Sequence, residues 1–173
     1  MVGASFPAGC PFLVDDWPVF HLDNHLLALY KPAGLLVQGD ETGDPCLLEL
    51  AKAWLKAKYA RPGRVFLGMV HRLDRPVAGI LLFARTSKAA ARLSEQFRSG
   101  TAAKHYLAVV EGRMLSGEGS LVHRLEHGGK RSTRILEEGV SGGREARLSY
   151  RVLDTTQSRS LLEVVLELSL IHI

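Results

Sequence analysis

The 173 residues of the chain are 46% hydrophobic and 23% charged, a composition that excludes collagen-like and disordered chains and suits a single folded domain. No apolar run approaches the roughly 20 residues of a membrane span, so spanning helices are excluded as well. The net charge of +4 is uneven, because residues 59–159 hold 18 Lys and Arg, mostly Arg, against 9 Asp and Glu; this excess favours either a phosphate-rich partner such as RNA or a solvated basic face.

The start of the chain predicts no regular structure. Residues 1–13 contain Pro7 and Pro11 among small residues and are expected to form an irregular lead-in. They contain no basic region followed by an apolar run, so no secretory signal is expected. Residues 14–173 are expected to form one domain.

Short apolar runs separated by turn residues predict β-strands through most of the chain. Asp23-Asn24 predicts a hairpin between the first two strands, and Lys31-Pro32-Ala33-Gly34 predicts a turn after the second. The predicted strands are Val19–Leu22, His25–Tyr30, Leu35–Gln38, Val65–Leu73, Gly79–Ala84, His105–Glu111, Arg147–Leu153 and Leu161–Leu168.

Two segments have the three- and four-residue apolar spacing of amphipathic helices. The first is residues 46–60. The second runs from Ser87, the expected N-cap, to about Ser99, with Gly100 placed to terminate it. Two helices among many short strands predict an α+β domain with a mixed, mainly antiparallel β-sheet flanked by helices.

The sequence His71-Arg72-Leu73-Asp74 combines three ionisable residues at the predicted end of a strand. In an extended chain, Arg72 and Asp74 share one face and His71 and Leu73 share the other. Pro76 cannot donate to a ladder and ends the strand. A carboxylate in this position is either a reactive group or one half of a structural salt bridge, and the pattern leaves both possibilities open.

Lys104 and Tyr106 occupy one face of a later predicted strand, with His105 and Leu107 on the other. A tyrosine in a strand is usually a packing residue with its hydroxyl at the rim. This pattern alone therefore carries little functional information.

Three sequence blocks follow one another along the chain: a Lys-Pro-x-Gly turn, a His-Arg-Leu-Asp block with a Gly and an apolar strand behind it, and a Lys-x-Tyr-x-Ala strand. Together they resemble the RluA-type family of RNA pseudouridine synthases, from about residue 14 to residue 168. The matching blocks here are Lys31-Pro32-Ala33-Gly34, His71-Arg72-Leu73-Asp74, Lys104-His105-Tyr106-Leu107-Ala108, Gly143-Arg144-Glu145-Ala146, Tyr150-Arg151-Val152-Leu153 and Leu161-Leu162-Glu163-Val164.

The resemblance implies a pseudouridine synthase catalytic domain that isomerises a uridine in rRNA or tRNA without metal or organic cofactor. It implies Asp74 as the catalytic aspartate, which attacks or deprotonates the ribose, and Tyr106 as the ring that stacks on the uracil and assists proton removal from C5. Arg72 would hold the nucleotide out of its stack, since the base must flip before it can be rearranged. The other substrate-binding residues implied are His71, Lys104 and Arg75.

The chain departs from the family pattern in two places. Val77-Ala78 stands where the family often has Thr-Ser, a change expected to be tolerated. Near the end, Leu170 stands in the position of a basic residue that pairs with the catalytic aspartate, while His172 falls on the family's histidine. We therefore expect a catalytic domain that is truncated at its C-terminus, and loss of such a partner costs roughly 10²–10³ in rate.

Two other functions remain open at the level of sequence. One is a non-catalytic RNA-binding remnant of the same family. The other is an Asp-dependent hydrolase, which would need a second carboxylate, and the sequence offers Glu126. Glu126 ends the block Val122–Glu126, whose sequence resembles that of Val70–Asp74. This similarity is either a coincidence or a sign of an RNA-contacting loop over residues 121–134.

The remaining expectations concern metals, partners and location. The pairs His21/His25 and His123/His127 have a spacing that binds metal only on a helix, and neither segment predicts one, so no metal site is expected. RNA is the expected partner, with no membrane or protein partner and a monomeric state. The two separated cysteines, Cys10 and Cys46, suit a reducing cytoplasm.

Overall fold

The computed structural model of the chain shows two α-helices and nine β-strands within the residues that it describes. The chain divides into two compact units, Met1–Phe97 and Arg98–Ile173. The α+β fold class is confirmed, and the strands form two sheets of four and five strands. The predicted lead-in, Cys10, Leu170 and His172 lie outside the described residues, which are 17–60, 62–115, 117–128, 133–137 and 140–168.

The first unit contains a four-stranded sheet and both described helices. Its strands lie in the order β1-β2-β4-β3, and neighbouring strands are antiparallel. Neither helix in the described ranges is long and apolar enough to cross a membrane. The elements are β1 (Val19–Leu22), β2 (Leu26–Lys31), α1 (Leu47–Tyr59), β3 (Gly68–Met69), β4 (Gly79–Ala84) and α2 (Ser87–Arg98).

The core of the first unit follows from the two periodicities of the sequence. Leu27 and Leu29 in β2 lie opposite Phe83 and Leu81 in β4, and all four are fully buried. Because alternate residues of a strand share a face, the next inward position in β2 is Lys31. Residues of α1 at four-residue spacing complete the core: Leu47, Ala51 and Leu55.

The predicted strand Leu35–Gln38 is wrong. Its residues make one parallel bridge, between Leu36 and Cys46. The carbonyl groups of Leu36 and Val37 accept hydrogen bonds from the amides of Leu47 and Leu48 at 2.8 and 3.0 Å. The first amides of a helix have no partner within the helix, and this segment supplies two carbonyls to them instead of joining a sheet.

The predicted strand Val65–Leu73 is reduced to the two residues of β3, which pair with Phe83 and Ala84 of β4. The ladder stops there because the amide of Leu82 donates to His71 Nε2 at 3.0 Å. The predicted N-cap Ser87 is also wrong. Thr86 holds that place, since its Oγ1 accepts from the amide of Ala89 at 3.1 Å.

The second unit is a five-stranded antiparallel sheet in the order β5-β9-β8-β6-β7. Residues 121–127, for which one interpretation was the start of an RNA-contacting loop, lie in strand β6. Its neighbour β7 was not predicted. The elements are β5 (Lys104–Glu111), β6 (Glu118–His127), β7 (Thr133–Ile135), β8 (Arg144–Thr155) and β9 (Arg159–Leu168).

Candidate active site

Asp74 lies between β3 and β4, on a segment outside the strands. Its carbonyl accepts a hydrogen bond from the amide of Val77 at 3.0 Å, which closes a turn. The side chains of Arg72 and Asp74 are exposed, whereas His71 and Leu73 are half-buried. This alternation confirms the predicted division of faces, although the segment is not part of the ladder.

Lys31 is the fully buried charged group of the first unit's described core. Its Nζ donates to the carbonyl oxygens of Pro32, Leu35 and Arg75 at 3.1, 2.8 and 3.2 Å. An ammonium group has three protons to donate, and these carbonyls satisfy all of them. Burial lowers the pKa of Lys31, and the negative charge of Asp74 acts in the opposite direction.

Arg75 is connected to the Lys31–Gly34 turn by both its backbone and its side chain. Its carbonyl accepts from the amide of Gly34 at 2.7 Å, and its Nε donates to the carbonyl of Gly34 at 3.0 Å. Its Nη2 lies 2.9 Å from Asp44 Oδ2. The residue that follows Asp74 is thus held from two sides by segments that precede α1.

His71 is engaged on both sides of its ring. Nε2 accepts the amide proton of Leu82, so the neutral ring carries its proton on Nδ1. The ring stacks on Phe97 of α2, with centroids 4.7 Å apart and an interplanar angle of 23°. These contacts fix the start of the His71–Asp74 segment against β4 and α2. The predicted contact of His71 with substrate stays a prediction.

The two exposed side chains of the segment differ from their neighbours in having few contacts. Within the described part of the chain, neither the Arg72 guanidinium nor the Asp74 carboxylate forms a hydrogen bond or an ion pair at contact distance. A backbone held by several bonds therefore presents two uncommitted charges of opposite sign on one face. The salt-bridge interpretation of Asp74 finds no support among the described residues.

Lys104 and Tyr106 lie in the second unit, on β5. They sit opposite Leu166 and Val164 of β9 and share the half-buried face of the strand, as predicted. Burial lowers the pKa of Lys104. The approach of Tyr106 to Asp74 remains a prediction.

The Glu126 block is unlike the Asp74 block in its surroundings. Glu126 lies in β6 and binds Arg134 of β7, with Oε2 3.0 Å from Nε and 2.6 Å from Nη2. A carboxylate held by two guanidinium donors is committed to a cross-strand pair. Among the described residues, the block Val122–Glu126 therefore lies in a strand and has no turn comparable to that at Asp74.

The sequence predicted the turn at Lys31 as a structural turn. It did not predict that the positive charge of Lys31 interacts with the negative charge of Asp74. The signal was present, because Lys31 continues the inward alternation of Leu27 and Leu29. A lysine at an inward strand position needs buried acceptors or a nearby negative charge. In the described ranges, no group of three or more His, Cys, Asp or Glu could hold a metal ion.

Comparison with known proteins places the chain in one family. Residues 25–169 match the family model described as RNA pseudouridylate synthase. Ribosomal large subunit pseudouridine synthase C of Haemophilus influenzae is 34% identical over 138 residues, which are 78% of this chain and 41% of the relative. Ribosomal large subunit pseudouridine synthase D of Xanthomonas campestris is 31% identical over 154 residues, or 89% of this chain and 45% of the relative.

Two solved human structures share the fold. RNA pseudouridylate synthase domain containing 4 superposes with a TM-score of 0.73 at 24% identity, over 89% of this chain and 60% of that chain. RNA pseudouridylate synthase domain containing 1 gives 0.72 at 16% identity, over 94% and 64%. At these identities the likeness concerns the fold alone.

The chain belongs to the RNA pseudouridylate synthase family, a class of isomerases. Within that class, its curated relatives confirm the assignment to the RluA type. The chain spans about two fifths of the length of those relatives.

Proposed function

We propose that the protein converts a uridine of a structured RNA into pseudouridine, with Asp74 as the catalytic carboxylate. The observation that carries this proposal is the state of Asp74. Its side chain is exposed and uncommitted within the described residues, yet its backbone lies in a turn braced by Lys31 and Arg75. A reactive group needs this combination of access and fixed position.

The chemistry asks for a carboxylate that can reach the ribose and a partner that can remove a proton from the base. The bond between C1′ and N1 breaks, the uracil turns, C1′ bonds to C5, the C5 proton leaves to solvent, and N1 takes up a proton in its place. Asp74 would act on the ribose, and Tyr106 would stack on the uracil and assist removal of the C5 proton. Stacked bases cannot turn in this way, so the nucleotide must leave its helix at a cost of a few kcal/mol.

Positive charge around Asp74 would offset that cost. Arg72 is exposed on the same face and has no ion-pair partner among the described residues, which leaves it able to fill the space of the flipped base. Lys104 and the Arg-rich middle of the chain would contact phosphates. His71 would act indirectly, through the segment it anchors.

Ribosomal RNA is the substrate class that the comparisons favour over tRNA. Two of the curated relatives bear names that refer to the ribosomal large subunit. The proposal includes a monomeric protein that acts in the cytoplasm and uses no cofactor.

The test replaces Asp74 by Asn and Glu126 by Gln in the 173-residue chain. Each protein is incubated with large-subunit rRNA fragments, and separately with tRNA, made with tritium at uracil C5. Release of tritium to water reports isomerisation, and filter binding reports affinity for RNA. We expect release with the unaltered chain and the Glu126→Gln control, and none with Asp74→Asn, whose RNA affinity stays unchanged.

Turnover by Asp74→Asn at the unaltered rate would overturn the assignment of the catalytic residue. RNA binding by the unaltered chain without any release would refute the isomerase proposal for this chain and support the non-catalytic RNA-binding alternative.

A further inference from the structure

We propose that Arg75 and Asp44 form a positioning clamp that fixes the Asp74 turn, a role that rests on the proposed catalytic function of Asp74. Arg75 would then act on the reaction through the backbone of its neighbour. This differs from the sequence-based expectation that Arg75 binds substrate.

The guanidinium of Arg75 joins two separate segments to one point. Nε donates to the carbonyl of Gly34 at 3.0 Å, and Nη2 lies 2.9 Å from the Asp44 carboxylate. The planar fork of arginine suits two simultaneous contacts of this kind, whereas lysine has a single charged atom. Both acceptors are therefore tied to the residue directly after Asp74.

The backbone of Arg75 adds two more bonds to the same point. Its carbonyl accepts from the amide of Gly34 and from the buried ammonium of Lys31, at 2.7 and 3.2 Å. These bonds hold the backbone on one side, and the Asp44 contact holds the side chain on the other. Together they restrict rotation about the peptide that carries Asp74.

Because the Arg75–Asp44 pair is exposed, its positioning role can be distinguished from a contribution to stability. The side chains of Arg75 and Asp44 are 50% and 43% exposed, and ion pairs with such exposure contribute little to folding. Loss of the clamp should therefore leave the thermal midpoint nearly unchanged. A small displacement of a catalytic group can nonetheless cost about 10²-fold in rate.

A phosphate-binding role makes the opposite forecast. If Arg75 contacts RNA, its loss weakens RNA binding, and loss of the competing Asp44 carboxylate strengthens binding. If the clamp is correct, both losses slow the reaction and leave RNA affinity unchanged. The two variants together therefore distinguish the roles.

The experiment compares Asp44→Asn, Arg75→Met and the double variant in the 173-residue chain. Lys52→Met with Glu49→Gln is the matched control, because that pair is also a surface ion pair, at 2.8 Å, and touches neither turn. Amide hydrogen exchange is measured at Gly34 and Val77, whose amides donate to the carbonyls of Arg75 and Asp74. Single-turnover tritium release and RNA affinity are measured in parallel.

We expect exchange at both amides to accelerate about tenfold in each single variant, with no further change in the double variant. The single-turnover rate should fall about ten- to hundredfold with RNA affinity unchanged, and Asp44→Glu should restore most of it. The control pair should change neither quantity. Unchanged exchange in Asp44→Asn, or weaker RNA binding in Arg75→Met alone, would overturn the clamp.

The exchange measurement is independent of activity. An unaltered chain that releases no tritium refutes the proposed function, while exchange at Gly34 and Val77 still decides whether the clamp exists.

Discussion

Replacement of Lys31 by Met tests whether the buried ammonium holds the Asp74 turn in place. Methionine has a similar length and no donor, so the carbonyls of Pro32 and Leu35 lose the donors that Lys31 gives them. The carbonyl of Arg75 keeps the amide of Gly34. Two unsatisfied, partly buried carbonyls cost about 1–3 kcal/mol each. Relief of the buried charge offsets part of this, so we expect the free energy of unfolding to fall by about 2–4 kcal/mol.

Urea unfolding followed by tryptophan fluorescence measures this change, because Trp17 and Trp54 pack against the core of the first unit. A lower midpoint with an unchanged slope identifies a loss of stability. Lys52→Met is the control, since its ammonium is partly exposed and paired with Glu49, and we expect a change within about 0.5 kcal/mol. A Lys31→Met protein as stable as the unaltered chain would refute the reasoning.

The pH dependence of the same comparison has a definite sign. Burial lowers the pKa of Lys31 below its ordinary value of 10.5. Between the two pKa values the unfolded chain binds more protons than the folded chain, so the stability due to Lys31 rises with pH. The difference between the unaltered chain and Lys31→Met should therefore grow as the pH rises through the lowered pKa and level off above 10.5. A difference that shrinks over this window would contradict the burial of the charge.

Two further outcomes are expected. His71→Phe should keep the stack on Phe97 but leave the Leu82 amide without its acceptor, which lowers the free energy of unfolding by about 1–3 kcal/mol. Urea unfolding and RNA titration measure the effect. Weaker RNA binding at unchanged stability would contradict this prediction. Arg151 beside Glu163 lowers the pKa of that carboxyl from 4.5, so the stabilising effect of the pair is present above pH 4.5 and is lost as the pH falls through the lowered pKa. Acid unfolding followed by circular dichroism should show a smaller loss of stability in Glu163→Gln than in the unaltered chain. Equal losses of stability would count against the pair.

Elements built on apolar periodicity could be predicted from the sequence. The stripe of α1 and the alternation of β2 and β4 place Leu, Ala and Phe inward, and burial of those side chains drives the structure. The bounds of α1 and α2 agree with prediction to within about a residue. The family resemblance, carried by short blocks, singled out Asp74 as the catalytic residue, and that role stays a prediction.

Elements held by polar contacts could not be predicted in the same way. Strand β6 carries His123 on the same face as Leu121 and Leu125, which breaks the apolar alternation of a strand signal. Its Glu126 accepts a hydrogen bond from Arg134, which lies on a separate strand. The short length of β3 depends on the His71 ring, which takes a hydrogen bond that the ladder would otherwise use. A side chain that takes the place of a backbone group in a hydrogen bond leaves no periodic pattern in the sequence.

The contacts of Arg75 at the candidate site could not be predicted from the sequence either. An arginine beside a predicted catalytic aspartate suggests a contact with substrate, and nothing in the sequence near position 75 indicates Asp44 as its partner. That partner comes from a loop thirty-one positions earlier, which only the folded chain brings within 2.9 Å.

The enclosure of the Lys31 side chain gives the protein a built-in reporter. Its relative exposure is 0%, so an acylating reagent in solution has no path to the amine while the first unit is closed. Modification at position 31 would record how often that unit opens, because an amine becomes reactive only after it leaves its three carbonyl partners. Mass spectrometry of labelled chains could thus follow local opening of the Asp74 turn without any RNA present.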